Sequence, residues 1–323
     1  MRTVITGGAG FLGVLLTRRL LAAPDSAGDP ADARRIVVAD RVATPVADDR
    51  VTSVDLDLCG PDRSLVELVA GADLVVHLAA VVSADAEASP ERAWQTNVDA
   101  SRRLLDACGT AAPGCRFVAT SSVAVFAGDG EPSGDRSRAV PASTYGMTKA
   151  MLELLVNEAT RRGAVDGRTA RLPTVIVRPG RPNLAASSFA SGVFREPFGG
   201  QAMTVPVDPS VPMVVIGHRA AVAGLAGLAA VPGAQLGPDR AINLPGLEVT
   251  VGDLVDASRR VAARRGIRAG AITVDPDPAI GAIVASWPGR WVADRARALG
   301  LAADRSLDAI AEDYLDDFGP GRA

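Results

Sequence analysis

The sequence has 323 residues, of which 48% are hydrophobic and 22% are charged, and its formal net charge at pH 7 is −3. This composition excludes a chain that is disordered throughout, and the length corresponds to one large domain or two smaller ones. Because no block of basic residues is present, nucleic acid is not expected as a partner.

The cysteines and the apolar segments bear on location. Cys59, Cys108 and Cys115 are an odd number without metal-ligand spacing, so we predict a cytoplasmic protein that binds no metal. The N-terminus reads as a strand that runs into glycines rather than as a signal peptide, and the most apolar later stretch, 220–231, is too short to cross a bilayer. We therefore expect no membrane partner.

The first third of the chain alternates short apolar strands with helices. Strands are predicted at 3–6, 36–39, 74–78 and 117–120, and helices at 13–23, 65–70 and 97–108. Apolar strands without polar alternation, separated by helices, are typical of a parallel sheet covered on both faces. The predicted fold class is therefore α/β: a doubly wound parallel sheet, the Rossmann fold, with a smaller C-terminal substrate-binding region.

The pattern is less regular toward the C-terminus. Loops are predicted at 24–35 and 128–141, a strand at 174–178, and helices at 144–162, 218–230, 251–264 and 290–299. Pro, Gly, Ser and Asn dominate from 179 to about 212, where the alternation of strands and helices is lost. We therefore predict a first domain over 1–178, to which 213–252 partly return, and a substrate-binding region formed by 179–212 and 253–323.

Three glycines, Gly7, Gly10 and Gly13, follow the first predicted strand and open a helix. Glycines at this spacing allow a tight turn and let the backbone approach a pyrophosphate, which the N-terminus of the helix also attracts. Phe11 and Leu12, which lie between these glycines, are also predicted to contact the cofactor. The first domain is therefore predicted to bind NAD.

Asp40 ends the second predicted strand, where a carboxylate can accept hydrogen bonds from the adenosine ribose. Its charge repels a 2′-phosphate and so favours NAD over NADP, although the neighbouring Arg41 could pair with that phosphate. Asp57 and Leu58 are predicted beside the adenine, and an ordinary loop acid is the alternative for Asp57. The remaining predicted cofactor contacts are Leu78, Ala79, Ala80, Asn97 and Pro179. Helix capping is an alternative role for Asn97.

Lys149 is the only lysine among 34 basic residues, and Tyr145, four residues before it, is one of two tyrosines. Residues four apart share one face of a helix. An ammonium beside a phenol stabilises the phenolate and lowers the phenol pKa, and an arginine would offer a different hydrogen-bonding geometry. The pair therefore indicates a function that arginine cannot serve.

Ser122, Tyr145 and Lys149 are the predicted catalytic residues of a hydride-transfer site. Tyr145 would take the proton from a substrate hydroxyl while the hydride leaves for the nicotinamide, and Ser122 would bond to the same oxygen. Ser122 and Tyr145 therefore also contact the substrate. Lys149 would tune Tyr145 and hold the nicotinamide ribose.

These glycines, Asp40 and the Ser122, Tyr145 and Lys149 set resemble the short-chain dehydrogenase/reductase superfamily, specifically its extended branch of NAD-dependent epimerase/dehydratases. The resemblance covers the whole chain and implies NAD as cofactor and a homodimer. A 4,6-dehydratase is disfavoured, because Ser121-Ser122-Val123 stands where that family carries Thr-Asp-Glu. Phe126-Ala127 also departs from the Tyr-Gly of the wider family and is expected to reshape the pocket wall.

Longer strings resemble a narrower family, the D-erythronate dehydrogenases. They lie at 77–83, 121–126, 162–168, 171–183, 185–191, 195–197, 243–246, 250–252 and 286–289. The resemblance implies NAD-dependent oxidation of the C2 hydroxyl of D-erythronate to 2-dehydro-D-erythronate (2-oxo-tetronate). Ile216-Gly217-His218 departs from the Ser-Pro of that family.

A small sugar-acid substrate needs a cation for its carboxylate and short polar side chains for its hydroxyls. Arg181, Asn183 and Ser83 are the first choices for these contacts. The other candidates are Arg178 and Arg195 as cations, and Ser187 and Ser188 for hydroxyls. Each arginine could instead pair with a surface acid.

Three other functions remain open at this point. One is a nucleotide-sugar epimerase with tightly held NAD, although aromatic residues are only 4% of the chain and offer little to stack on a base. Another is a non-catalytic NAD-sensing regulator, which would usually lack the tyrosine or the lysine. The third is a dehydrogenase for a different aldonate or a sterol.

Overall fold

A computed structural model describes residues 1–23, 34–181 and 185–319 of the chain. The predicted loop over 24–35 therefore lies almost entirely outside the described residues, and Arg35 already begins a strand. The twelve strands described are β1 Arg2–Thr6, β2 Arg35–Asp40, β3 Val51–Asp55, β4 Leu74–His77, β5 Arg116–Ser122, β6 Asp166–Leu172, β7 Thr174–Ile176, β8 Met203–Val205, β9 Pro212–Gly217, β10 Ala241–Asn243, β11 Leu247–Thr250 and β12 Ile272–Val274.

Helices connect most of these strands. The twelve α-helices described are α1 Phe11–Ala22, α2 Asp62–Val69, α3 Ser83–Ala88, α4 Pro90–Trp94, α5 Ala100–Ala111, α6 Thr144–Arg161, α7 Ser188–Phe198, α8 His218–Ala230, α9 Val251–Arg264, α10 Pro278–Ala285, α11 Asp294–Ala298 and α12 Leu307–Phe318. No helix in the described ranges is long and apolar enough to cross a membrane.

Seven strands form the main sheet, in the order β10-β6-β5-β4-β1-β2-β3. Every neighbouring pair in it is parallel. All four residues of β4 are buried, because helices cover both faces of the sheet. Val75 faces one core cluster and Val76 the other. The predicted fold class, a doubly wound parallel sheet, is confirmed.

A smaller body of structure follows β6. β7, β9 and β11 form a three-stranded sheet in the order β11-β9-β7, and β8 pairs with β12. A separate apolar core, which includes Phe194 of α7, Leu254 of α9 and Ile310 of α12, lies among these elements. The chain returns to the main sheet once, at β10, which pairs with β6. The strand predicted at 174–178 therefore exists in part, but it belongs to the smaller sheet.

Several elements differ from the sequence predictions for a physical reason. β6 escaped prediction because its arginines look like surface residues, yet Arg168 is paired with Asp166 and Arg171 with Glu153. The helix predicted from residue 97 follows a π-helical turn, Gln95–Asp99, that continues α4. α4 starts at Pro90, because proline suits the first position of a helix. The helix predicted at 290–299 is shorter in the structure, where α11 covers only Asp294–Ala298.

Candidate active site

The turn between β1 and α1 lies directly against the end of β4. Gly7 has a φ of +70°, and a Cβ there would come within 2.5 Å of the Ala79 nitrogen. Only glycine fits this position, because both the backbone conformation and the available space exclude a side chain. The N-cap residue of α1, Gly10, has no side chain that could cap the first N–H groups of the helix. The N-terminus of the helix therefore offers N–H donors to an anion such as a pyrophosphate.

A cavity of about 510 Å³ lies on one side of this turn. It brings together the residues predicted for the adenosine half of NAD. Its lining includes Gly7, Gly10, Asp40, Arg41, Asp57, Leu58, Leu78, Ala79 and Ala80. Cys59, Arg92, Gln95 and Thr96 also line it, and sequence reasoning did not single them out for the cofactor.

Asp40 lines this cavity and also stabilises the glycine turn. One carboxylate oxygen accepts a hydrogen bond from the Ala9 N–H at 3.0 Å, and the other accepts one from the Arg41 N–H at 2.7 Å. Asp40 thereby ties the end of β2 to the glycine turn. Each carboxylate oxygen can accept a further hydrogen bond, and Asp40 lines the cavity.

A second cavity, of about 500 Å³, lies on the other side of the turn. Gly7, Gly10, Leu78 and Ala80 line both cavities, so together the cavities form a cleft with the glycine turn at its middle. The second cavity is also lined by residues that the sequence predicted for the cofactor or the substrate: Phe11, Leu12, Gly13, Ser83, Ser122, Tyr145 and Lys149. This shape suits a dinucleotide, whose pyrophosphate joins two nucleoside halves, and the chain's residues therefore fit NAD.

Tyr145 and Lys149 project from the first turns of α6 toward the end of β5. Ser143 caps the helix, with its hydroxyl accepting a hydrogen bond from the Gly146 N–H at 3.1 Å. A Cβ on Gly146 would come within 2.0 Å of the Ala124 carbonyl oxygen, so a larger residue would push the helix away. Sequence reasoning missed Gly146, because only the tertiary contact reveals why it must be glycine.

The three predicted catalytic residues meet in this cavity. Tyr145 shares a hydrogen bond with Ser122. The Lys149 ammonium donates to the Thr120 carbonyl oxygen at 2.9 Å, and its nitrogen is 5.7 Å from the centroid of the Tyr145 ring. Lys149 is 3% exposed. The arrangement can hold a proton acceptor, a hydroxyl donor and a positive charge around one substrate oxygen.

Burial governs the charge state of this pair. It raises the pKa of Tyr145 to about 12, and the hydrogen bond with Ser122 opposes this only in part. Burial also lowers the pKa of Lys149 to about 8, against the effect of the Glu153 carboxylate. In the protein without cofactor, desolvation of the phenolate therefore outweighs the hydrogen bond that stabilises it. That Lys149 lowers the phenol pKa stays a prediction for the cofactor-bound site.

His77 and Asn97 support the cleft from behind. The two ring nitrogens of His77 bond to the hydroxyls of Thr6 and Ser101, at 2.7 and 2.9 Å, and burial lowers the His77 pKa to about 3. The Asn97 side chain holds both backbone groups of Val81, at 2.8 and 3.0 Å. Asn97 therefore orders the chain after β4, and it lies outside the described lining of both cavities.

Only some of the predicted substrate contacts line the catalytic cavity. Ser83 lines the catalytic cavity, and so do Arg178 and Ser187. Arg181 is exposed and is absent from the described lining of that cavity. Asn183 lies outside the described residues. Pro179, predicted beside the cofactor, lines a separate cavity of about 250 Å³ with Phe11, Arg178 and Phe318 among others.

Neither Phe126 nor His218, which mark the two departures from the family patterns, is in the described lining of the catalytic cavity. Phe126 is 2% exposed and packs edge-on against Trp291, beneath the Arg171 guanidinium. It therefore does not reshape the pocket wall in the way the sequence suggested. His218 is buried and bonds to Asp317 at 2.8 Å. Sequence reasoning also missed Thr174 and Trp287, which line the cavity. Trp287 lies in the string 286–289, which resembled the narrower family but was given no role.

Comparison with known proteins identifies the family of the chain. A model of the NAD-dependent epimerase/dehydratase family matches residues 3–205. The chain is 44% identical over 325 residues to a protein from Cupriavidus necator named D-erythronate dehydrogenase, covering 99% of both chains. It is 38% identical to a protein of the same name from Haemophilus influenzae, covering 98% of this chain and 99% of that one.

Solved structures share the fold. A structure described as the nucleoside-diphosphate-sugar epimerase from Agrobacterium tumefaciens is 34% identical and superimposes with a TM-score of 0.89, covering 98% of this chain and 94% of that one. L-Threonine dehydrogenase from Clostridium difficile superimposes with a TM-score of 0.84 at 22% identity, covering 98% of this chain and 96% of that one. The second likeness concerns the fold alone.

Replacing Tyr145 with Phe should abolish turnover without abolishing cofactor binding. The variant removes the phenolic oxygen that would accept the proton, so kcat should fall by about 10²-fold or more, whereas the NAD dissociation constant should change by only about threefold. NADH absorbance and calorimetric titration with NAD measure the two quantities. Tyr314→Phe is the matched control, since Tyr314 stacks on Phe198 in the smaller core. Unchanged turnover in Tyr145→Phe would contradict the assignment.

Replacing Asp40 with Ala should weaken NAD binding more than NADP binding. The variant loses a charged acceptor, which typically costs about tenfold or more in affinity, and it also removes the repulsion of a 2′-phosphate. Asp40→Asn is the control, because it keeps an oxygen for the Ala9 N–H while removing the charge. Calorimetric titration with both cofactors tests this, and an equal loss for NAD and NADP would refute it.

Proposed function

Because the chain belongs to the NAD-dependent epimerase/dehydratase family, we propose that it is a dehydrogenase that oxidises the C2 hydroxyl of D-erythronate to 2-dehydro-D-erythronate with NAD. The observation that carries this proposal is the 44% identity to a protein named D-erythronate dehydrogenase over 99% of both chains. Ser122, Tyr145 and Lys149 meet in one cavity, which supplies the chemistry that such a reaction needs.

Bound NAD would supply the hydride acceptor and a positive ring charge. Gly7, Gly10 and Asp40 would hold its pyrophosphate and adenosine ribose, and Lys149 the ribose nearer the nicotinamide. Asp40 favours NAD over NADP through its negative charge at the end of β2.

The chain's own residues account for the proton. As the C2–H bond breaks and the hydride leaves, the proton of the C2 hydroxyl passes to the Tyr145 oxygen, and a carbonyl forms at C2. The Ser122 hydroxyl donates to the same substrate oxygen and fixes its position. Lys149, held by the Thr120 carbonyl, places a positive charge beside the phenol and so favours the phenolate.

Arg178 is the cation that we favour for the substrate carboxylate. It lines the catalytic cavity, and its guanidinium has no acidic partner among the residues that the structure describes. Burial and the nearby Arg195 lower the Arg178 pKa, so an anion beside it would stabilise its charge. Arg195 is already engaged, by Glu196 at 2.5 Å and by the Arg178 carbonyl at 2.9 Å.

Ser83 remains a proposed contact for a substrate hydroxyl, together with Ser187. Arg181 and Asn183 stay proposals from the sequence, since the first is exposed and the second lies outside the described residues. We keep the proposed boundaries, with a cofactor-binding domain of 1–178 and part of 213–252 and a substrate-binding region of 179–212 and 253–323. Ser83 and Arg178 would reach the substrate from the first domain.

We further propose a cytoplasmic homodimer formed through α6. Leu154, on that helix, is 68% exposed, which is unusual for a large apolar side chain and suits a partner surface. The proposal otherwise rests on the resemblance to the superfamily.

A substrate panel tests the proposed reaction. Purified protein with NAD should form NADH selectively with D-erythronate, when compared with L-erythronate, D-threonate and L-threonate. A UDP-hexose is the control for the epimerase alternative, which the likeness to the Agrobacterium structure supports. Isomerisation of that sugar without NADH release, and no NADH from any acid, would replace the proposed function with an epimerase.

Replacing Arg178 with Met should raise the KM for D-erythronate by about tenfold or more, because a charge-assisted pair with the carboxylate is lost. The neutral amide of D-erythronate should be affected far less. Arg181→Met is the matched control and should leave both KM values near wild type. A rise in KM for Arg181→Met alone would return the carboxylate contact to Arg181.

A further inference from the structure

One helical turn after Lys149, α6 carries a buried carboxylate that the proposed reaction does not use. Glu153 is 5% exposed. Its Oε1 accepts hydrogen bonds from the Ser121 hydroxyl at 2.6 Å and from Arg171 Nε at 2.9 Å, and its Oε2 accepts one from Arg171 Nη2 at 2.8 Å. Both side chains of this two-pronged ion pair are 6% exposed. Burial of both charges costs desolvation free energy, so such a pair is weak evidence for a purely stabilising role.

Arg171 is itself fixed in place. Its Nη1 donates to the Asp135 carbonyl at 3.1 Å and to Asn243 Oδ1 at 3.3 Å, and its guanidinium lies 4.9 Å from the centroid of the Phe126 ring. The cation therefore has one orientation available, and it holds the Glu153 carboxylate in one place.

The position of Glu153 relates it to all three catalytic residues. The last three residues of β5 each bond to one residue of α6. Thr120 accepts from Lys149, Ser121 donates to Glu153, and Ser122 shares a hydrogen bond with Tyr145. Glu153 is the α6 residue that bonds to Ser121, the middle residue of these three. It thus joins the strand that carries Ser122 to the helix that carries Tyr145 and Lys149.

Glu153 also supplies a negative charge that acts on Lys149. Among the described residues, it is the one acid that raises the pKa of Lys149 against the effect of burial. The other charged or titratable groups nearby are Tyr145 on the same helix, His77 on β4, which burial keeps neutral, and Arg171 on β6, whose charge Glu153 offsets. Asp135, on the chain before α6, acts on Arg171 rather than on Lys149.

We propose that Glu153 is a positioning residue of the catalytic site: held by Arg171, it fixes the end of β5 against α6 and places a negative charge one helical turn from the Lys149 ammonium. The proposal rests on the dehydrogenase chemistry proposed above and adds to it a residue that touches neither substrate nor cofactor. A carboxylate beside an ammonium favours the charged form. Its removal should therefore let Lys149 lose its proton at a lower pH.

The composition of the chain makes this directly measurable. Lys149 is the only lysine, so protein labelled with ¹³C at lysine Cε gives one side-chain signal to titrate by NMR. The wild-type midpoint should lie near the pKa of about 8 that burial and Glu153 together produce. In Glu153→Gln the midpoint should fall by about one pH unit or more. An unmoved midpoint in the folded variant would overturn the proposal.

Two further variants keep the test valid if Glu153→Gln folds poorly with Arg171 left unpaired. Glu153→Gln combined with Arg171→Met removes both charges, and this double variant should recover thermal stability but retain a lowered Lys149 midpoint. Recovery of the wild-type midpoint and kcat would mean that the pair serves stability alone. Ser121→Ala removes one hydrogen bond and keeps the charge, so it should lower kcat severalfold and leave the midpoint unchanged.

Asp166→Asn is the matched control. It breaks another ion pair of β6, with the buried Arg168, but Asp166 lies opposite Arg116 at the far end of the strand from Ser122. It should lower the melting temperature without moving the Lys149 titration.

Kinetics complete the test. The pH at which kcat falls on the alkaline side should move down with the Lys149 midpoint in Glu153→Gln, and a shifted midpoint with an unchanged kcat profile would overturn the catalytic part of the proposal. The NMR titration needs no substrate, so it stands or fails independently of whether D-erythronate is the substrate.

Discussion

The candidate site depends on the close approach of the first turns of α6 to the end of β5. A Cβ on Gly146 would come within 2.0 Å of the Ala124 carbonyl oxygen, so α6 touches the backbone of the turn that directly follows β5. Only at this separation can Lys149 reach the Thr120 carbonyl and Tyr145 reach Ser122. The hydroxyl of Ser143 sets where the helix begins, and with it the direction in which both side chains point.

This approach buries groups that would be better solvated elsewhere. Burial raises the pKa of Tyr145 to about 12 and lowers that of Lys149 to about 8, so the protein alone favours the phenol over the phenolate. A positive nicotinamide ring in the same cavity acts in the opposite direction. In the proposed reaction the proton-accepting form of Tyr145 therefore depends on the bound cofactor, and Glu153 helps the lysine to keep its charge. Such buried charges are expected where function, not stability, sets the residue.

The cofactor and substrate parts of the cleft are built by different means. The glycine turn, Asp40 and the end of β4 all come from the main sheet, which relatives of only 22% identity share. Arg178, Ser187 and Trp287 line the catalytic cavity from segments that follow β6. A fold does not fix the substrate, so these wall residues are the ones to test for the proposed function.

The sequence by itself determined four of the seven strands of the main sheet, β1, β2, β4 and β5. It also determined the glycine turn, Asp40 and the Tyr145–Lys149 pair, because each depends on spacing along a few residues. The helices His218–Ala230 and Val251–Arg264 were predicted to the residue for the same reason. Only the tertiary structure decided that β6 is a buried strand, since its arginines find their partners in space, as Arg171 does 18 residues away in Glu153. It also decided that Arg178 rather than Arg181 lines the catalytic cavity, because the orientation of a side chain beyond a strand depends on packing that local spacing does not encode.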